Sequence, residues 1–72
     1  MIAIVLNGER TEIAAGKSIL DLVHSLNLPE ERLAVEHNLK IVKRDHWGRQ
    51  PLADGDKVEI VQFVGGGSVG IS

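Results

Sequence analysis

The chain has 72 residues, of which 43% are hydrophobic and 25% charged, with eight Lys and Arg, ten Asp and Glu and no cysteine. A chain of this length buries only about 60% of the surface that it exposes when unfolded, so one small domain is expected, and an enzyme with a walled catalytic cleft is not. The absence of cysteine excludes disulfides, thiolate metal sites and a catalytic thiol, and a net charge of -2 argues against a nucleic-acid partner.

The first two predicted elements form a β-hairpin. Residues 1–6 are apolar and rich in β-branched side chains, and Asn7-Gly8 follows them directly. Asn-Gly favours a type I′ turn, because both central residues of that turn need a positive φ. Residues 9–13 are therefore predicted to return as the second strand.

A single amphipathic helix is predicted next. Ser18 is placed to be its N-cap, and Asp21, three residues later, completes a capping box. Asn27 and Pro29 are expected to end it. Apolar residues recur at helical spacing and form one stripe that must pack on the sheet: Ile19, Leu20, Leu22, Val23 and Leu26.

Three further strands complete the predicted fold. Residues 33–35 indicate a short buried strand, residues 39–42 return antiparallel to it, and residues 43–51 form an irregular loop or a single helical turn. A tight turn at 54–56 leads into the last strand, 58–63. This order predicts an α+β fold of the ubiquitin-like β-grasp type, in which a mixed sheet of four or five strands packs on one helix and the last strand lies beside the first.

The predicted domain covers residues 1–64, and residues 65–72 are predicted to be a flexible, glycine-rich tail. Trp47 is interpreted as a core residue rather than an interface anchor. The other predicted core residues are Ile2, Ile4, Leu6, Ile19, Leu22, Val23, Leu26, Leu33, Val35, Val58 and Ile60.

Three consecutive glycines, Gly65, Gly66 and Gly67, follow the last strand and cannot add side-chain packing. One interpretation is a frayed terminus with no role. The other is that the tail is itself a substrate, since a chain without side chains is narrow enough to enter an enclosed nucleotide site of another enzyme. Its carboxylate would there be activated for acyl transfer.

Several segments in this order and spacing resemble the ThiS family of sulfur carriers over residues 1–67: VLNGE at 5–9, AVEHN at 34–38, VKR at 42–44 with Trp47, LADGDKVEIV at 52–61 and FVGGG at 63–67. The resemblance implies a non-enzymatic carrier that needs no cofactor. It also implies that a glycine carboxylate, at Gly67 or Gly66, is adenylated by a ThiF-like, E1-like adenylyltransferase. The resulting thiocarboxylate then supplies sulfur to a ThiG-like thiazole synthase in thiamine biosynthesis.

Phe63 and Val64 lie where the last strand becomes the tail, and they are predicted to form an apolar docking surface for a partner. Residues 68–72 follow Gly67, so the carboxyl group of Gly67 is held in an amide, and activity is expected to require removal of these residues. Three alternatives share the same fold: a molybdopterin-type sulfur carrier, a ubiquitin-like protein modifier with a cleavable extension, and a binding module with an inert tail.

The remaining candidate groups are not expected to form a functional site. The three histidines, His24, His37 and His46, match no metal-binding spacing, so no metal site is expected, and His24 is predicted on the solvent side of the helix. Lys43, Arg44 and Arg49 are interpreted as a solvated basic loop. No run is long enough to cross a membrane, so a cytoplasmic protein is expected.

Overall fold

The computed structural model describes residues 1–63 and contains five strands and one α-helix in that part of the chain. Short 3-10 segments cover Glu30–Arg32 and Arg44–Arg49, the second within the stretch predicted to be a loop or a helical turn. The elements are β1 (Ile2–Leu6), β2 (Glu9–Ile13), α1 (Ile19–Ser25), β3 (Leu33–His37), β4 (Lys40–Val42) and β5 (Lys57–Gln62).

The five strands form one mixed sheet in the order β2-β1-β5-β3-β4. β1 and β5 pair in parallel, and the other neighbours pair antiparallel. The predicted β-grasp fold is therefore confirmed, including the placement of the last strand beside the first. One face of the sheet packs on α1, and we call the opposite face the open face.

Two tight turns with positive φ connect the hairpins. Asn7 and Gly8 have φ values of 49° and 85°, which confirms the predicted type I′ geometry between β1 and β2. The turn between β3 and β4 has the same pattern, with φ values of 51° at Asn38 and 72° at Leu39.

The helix begins as predicted but ends earlier. The Ser18 hydroxyl accepts a hydrogen bond from the backbone N–H of Asp21, and the Asp21 carboxylate accepts one from the N–H of Ser18, so the capping box is confirmed. The prediction of Leu26 as a core residue is wrong: it is the C-cap and is 38% exposed. Asn27 takes a φ of 56° and turns the chain, so Leu26 lies beyond the last turn of the buried face.

The core lies between α1 and the sheet. Ile2 and Leu6, predicted as core residues, are only partly buried and pack against the buried cluster. Leu52 was not predicted but is buried, since its N–H bonds to the carbonyl of Lys17 and holds this segment against the start of α1. The buried residues are Ile4, Ile19, Leu22, Val23, Leu33, Val35, Trp47, Leu52, Val58 and Ile60.

Trp47 is a core residue, as interpreted from the sequence. Its side chain is 1% exposed, and its indole Nε1–H donates a hydrogen bond of 2.9 Å to the carbonyl of Val42. The ring therefore fills the core while its polar atom finds a partner at the end of β4.

Two alanine substitutions distinguish the buried face of α1 from its C-terminal end: one at Leu22, within the helix, and one at Leu26, the C-cap. Leu22→Ala is expected to lower the free energy of unfolding by about 2 to 5 kcal/mol, because a buried leucine leaves a cavity. Leu26→Ala removes the same atoms from a half-exposed site and is expected to cost less than about 1 kcal/mol. Equal losses in urea denaturation would contradict this assignment of the helix faces.

Candidate functional site

The candidate site is the end of β5, from which the glycine-rich tail continues. We call residues 61–63 the tail root. Val64 and the predicted site residues Gly65, Gly66 and Gly67 lie outside the described residues. The described residues therefore show the strand that precedes the tail in the sequence and the contacts that hold this strand.

On one side, β3 holds the tail root along its length. Leu33 pairs with Gln62, and the ladder continues for one more hydrogen bond, from the N–H of Phe63 to the carbonyl of Arg32 at 2.7 Å. This side of the tail root is fixed by backbone hydrogen bonds up to the last described residue.

On the other side, the backbone of β1 stops pairing with β5 before the tail root is reached. The side chain of Asn7 continues the hydrogen bonding from there. The β1–β5 register stops at Leu6 and Val58, where the N–H of Asn7 bonds to the Val58 carbonyl. The Asn7 side chain then imitates a peptide group: its Oδ1 accepts from the N–H of Ile60 at 2.8 Å, and its Nδ2 donates to the Ile60 carbonyl at 3.3 Å. Asn7 thereby extends the ladder by one residue pair.

Beyond Ile60, the tail root has an unpaired edge within the described residues. Gln62 continues β5, and no strand among residues 1–63 pairs with it on the β1 side. An extended segment of another protein can pair with such an edge through backbone hydrogen bonds. The last described residues thus lie next to a strand edge that is unpaired within residues 1–63.

The open face beside the tail root is partly apolar. β5 alternates, with Val58 and Ile60 buried towards α1, and Val61 55% exposed on the other face. Phe63 is half-buried, and its predicted docking role with Val64 remains a prediction. Val61 extends this surface, although it was not predicted from the sequence as a site residue. The alternation of the last strand is the pattern that indicates its position on the open face.

A second asparagine holds the beginning of β5. The N–H of Asn38 donates to the Lys57 carbonyl at 2.8 Å, and its Oδ1 accepts from the N–H of Lys57 at 2.9 Å. From the sequence, Asn7 was predicted only as a turn residue, and Asn38 was given no role of its own. An asparagine directly after a strand, in a turn that needs positive φ, is the signal that points to this further role.

Asp56 connects the turn before β5 to the β3–β4 turn. Its Oδ2 lies 2.7 Å from Nε2 of His37 and accepts from the N–H of Ala53 at 2.9 Å. The Nδ2 of Asn38 donates to its Oδ1 at 3.2 Å. Burial raises the pKa of Asp56, but these hydrogen bonds outweigh burial and hold the pKa below its usual value.

Asp56→Asn is expected to reduce stability at neutral pH by about 1 kcal/mol and to weaken the loss of stability in acid. A lowered pKa in the folded state means that Asp56 stabilises the fold above its unfolded-state pKa, near pH 4, and that this contribution disappears as the pH falls below that value. Urea midpoints at neutral and acid pH measure both effects. Asp45→Asn, at an exposed carboxylate, is the control, and the same pH dependence in D56N and the parent would contradict the prediction.

The other titratable residues do not form a site in the described part of the chain. His24 lies on the exposed side of α1, as predicted, with Nε2 2.6 Å from Oε2 of Glu30. Lys43, Arg44 and Arg49 are exposed. Within residues 1–63, no three His, Asp or Glu side chains are placed to share a metal ion. None of the helices there has the length and apolar character needed to cross a membrane.

Comparisons with known proteins agree with this geometry. The family model described as ThiS family matches residues 4–67. The chain is 30% identical over 64 residues to the sulfur carrier protein ThiS of Escherichia coli, covering 89% of this chain and 97% of that one. The crystal structure of the thiamine biosynthesis protein ThiS from Geobacter metallireducens superposes with a TM-score of 0.78 at 28% identity, covering 92% of this chain and 100% of that chain.

A longer relative carries a similar region. The chain is 40% identical over 65 residues to a thiazole synthase of Paramagnetospirillum magneticum. The match covers 90% of this chain and 20% of that protein, so this chain spans about a fifth of its relative's length.

Proposed function

Because the chain belongs to the ThiS family, we propose that it is a sulfur carrier of thiamine biosynthesis that acts in the cytoplasm, where ATP is available for its activation. The observation that carries this proposal is the position of β5. The strand lies at the centre of the sheet, is held by β1, β3 and Asn7, and is followed in the sequence by Phe63, Val64 and the three glycines.

The reacting group in this proposal is the carboxylate of Gly67, or of Gly66 if the chain is cut one residue earlier. A carboxylate oxygen attacks the α-phosphorus of ATP, the bond to the β-phosphate breaks, and pyrophosphate leaves. A sulfide-level nucleophile then attacks the acyl carbon of the adenylate, AMP leaves, and a thiocarboxylate remains. Glycine suits both steps because no side chain crowds the carboxylate as it approaches the α-phosphorus, and none blocks the nucleophile that later approaches the acyl carbon.

The chain is a protein substrate in this scheme, and its partners supply catalysis. The first is an E1-like, ThiF-like adenylyltransferase, which must receive the tail and recognise the domain behind it. The second is a ThiG-like thiazole synthase, which accepts the sulfur. The thiazole synthase relative supports this second partner because it includes a region similar to this chain.

We further propose that Phe63 and Val64, together with Val61, form the apolar surface on which a partner docks next to the tail. Val61 is exposed, and no strand within the described residues 1–63 pairs with Gln62 on the β1 side. Apolar contact and backbone pairing would together hold the tail in an extended conformation.

The proposal is tested with a chain that ends at Gly67, the cognate E1-like enzyme and ATP. We expect release of one pyrophosphate per chain, dependent on both proteins. A matched chain with Gly66 and Gly67 replaced by alanine keeps the length and the free carboxylate, and it is expected to react more slowly because its side chains obstruct the narrow site. An absence of pyrophosphate release both from the chain that ends at Gly67 and from one that ends at Gly66 would refute the proposal.

A further inference from the structure

The turn between β3 and β4 carries an exposed leucine in a strained backbone conformation. Asn38 and Leu39 are its central residues, and Leu39 has a φ of 72° with a side chain that is 80% exposed. Asparagine is suited to this region of φ, and Asn38 also bonds to Lys57. Leucine does not favour this region of φ, because its Cβ crowds the backbone at positive φ.

Folding does not explain the leucine. Glycine would relieve the backbone strain, and a polar residue would remove the apolar surface from water. Exposed apolar residues on small proteins often belong to interaction surfaces, and a strained residue at a tip is a reason to look for one.

The segment that follows this turn in the sequence differs in charge from the rest of the molecule. Four of the eight Lys and Arg residues lie within residues 40–49 together with one Asp, so this segment carries +3 while the rest of the chain carries -5. Lys40 and Lys43 are exposed, and Ile41 between them is 70% exposed on the open face. We call Leu39, Lys40, Ile41 and Lys43 the hairpin patch.

We propose that the hairpin patch is a second docking surface, with Leu39 as its anchor, for an apolar pocket rimmed by carboxylates on the activating enzyme. This inference rests on the proposed function, because it assumes that such an enzyme receives the tail. Lys40 and Lys43, which follow Leu39 in the sequence, set the expected charge of the pocket, since complementary charges speed encounter and fix orientation.

Leu39 and Lys40 lie at the opposite end of the sheet from the tail root. His37, next to the turn, pairs with Val58 near the start of β5, whereas Leu33 pairs with Gln62 at its end. Six residues of strand separate the ends by roughly 17 Å. Contact at the hairpin patch therefore holds the domain without touching the reacting carboxylate, so its loss is expected to change KM and to leave kcat unaltered.

Leu39→Gly in the chain that ends at Gly67 tests this proposal with the E1-like enzyme and pyrophosphate release as the readout. Glycine retains the turn, so the variant is expected to melt at a higher temperature than the parent. Its KM as a substrate is expected to rise by about tenfold with kcat unchanged. A residue with a merely structural role would not combine higher stability with weaker binding.

Two comparisons between a variant in the hairpin patch and a control variant elsewhere extend the test. Lys40→Glu is expected to raise KM, with the difference from the parent shrinking as salt is added, whereas Lys17→Glu, at an exposed lysine outside the hairpin patch, is expected to have no effect. Leu26→Ala controls for the loss of an exposed leucine elsewhere.

The outcomes separate this proposal from the proposed function. An inactive parent, together with an inactive chain that ends at Gly66, would refute the proposed function itself. An active parent with an unchanged KM in L39G would overturn the docking role of the hairpin patch. So would a parent dimer that L39G dissociates without a change in KM, because a second copy of the chain would then be the occupant.

Discussion

A chain that ends at Gly67 is expected to be adenylated, whereas a chain that continues through Ser72 is expected to be inert. In the longer chain the carbonyl of Gly67 belongs to an amide, which has no anionic oxygen to attack the α-phosphorus of ATP. The carboxylate of Ser72 lies five residues further on and carries a side chain next to it. The enzyme must place the reacting oxygen in line with the phosphate, and the extra residues prevent this.

A series of chains ending at Gly65, Gly66, Gly67 and Ser72 measures this effect by pyrophosphate release under identical conditions. We expect activity at Gly67 or at Gly66, with background release from the chain through Ser72. Equal release from the chains ending at Gly67 and Ser72, with Ser72 still attached by mass, would show that the glycine carboxylate is not the reacting group.

Trp47→Ala is expected to lower the free energy of unfolding by about 3 to 5 kcal/mol, the range typical of large aromatic deletions in cores. The ring is almost completely buried, and the substitution also removes the hydrogen-bond donor to the Val42 carbonyl. Small domains have total stabilities of about 5 to 15 kcal/mol, so this change removes much of the available stability.

Trp47→Phe separates the two contributions to that loss. Phenylalanine retains most of the apolar packing but leaves the Val42 carbonyl without its indole donor, so a smaller loss is expected than for alanine. Denaturant unfolding followed by circular dichroism measures both variants. If W47A kept its stability and instead lost binding to a partner, Trp47 would be an interface anchor and its assignment to the core would be wrong.

The elements that the sequence predicted well are those determined by neighbouring residues. The Asn7-Gly8 turn needs positive φ at two adjacent positions. The capping box at Ser18 needs an acidic side chain three residues later, which Asp21 provides. These requirements involve a few consecutive residues, so they are visible without a structure.

Features that depend on distant segments were missed or wrong. The apolar stripe included Leu26, because periodicity does not reveal that the helix ends at Ser25. Leu52 belongs to no periodic apolar pattern in the sequence. Its N–H bonds to the carbonyl of Lys17, a contact between distant segments. The strain at Leu39 gave no signal, because leucine is not a residue that normally marks a turn with positive φ.

The contacts that position the candidate site also span long distances in the sequence. Asn7 and Ile60 are 53 residues apart, and their hydrogen bonds form only when β1 and β5 are neighbours. The sequence predicted that neighbourhood from the fold, but not that a side chain would continue the pairing. The resemblance to the ThiS family therefore indicated the tail, and the structure added the contacts at its root.

The most direct test of the carrier function is the intact mass of the chain that ends at Gly67 after incubation with the E1-like enzyme, ATP and a sulfide source. We expect a mass gain equal to the exchange of one oxygen for one sulfur, located by fragmentation at the terminal glycine and lost when ATP is omitted. An unchanged mass, or a chain joined through its last glycine to a lysine of another protein, would contradict the sulfur-carrier account, and the second result would identify a protein modifier.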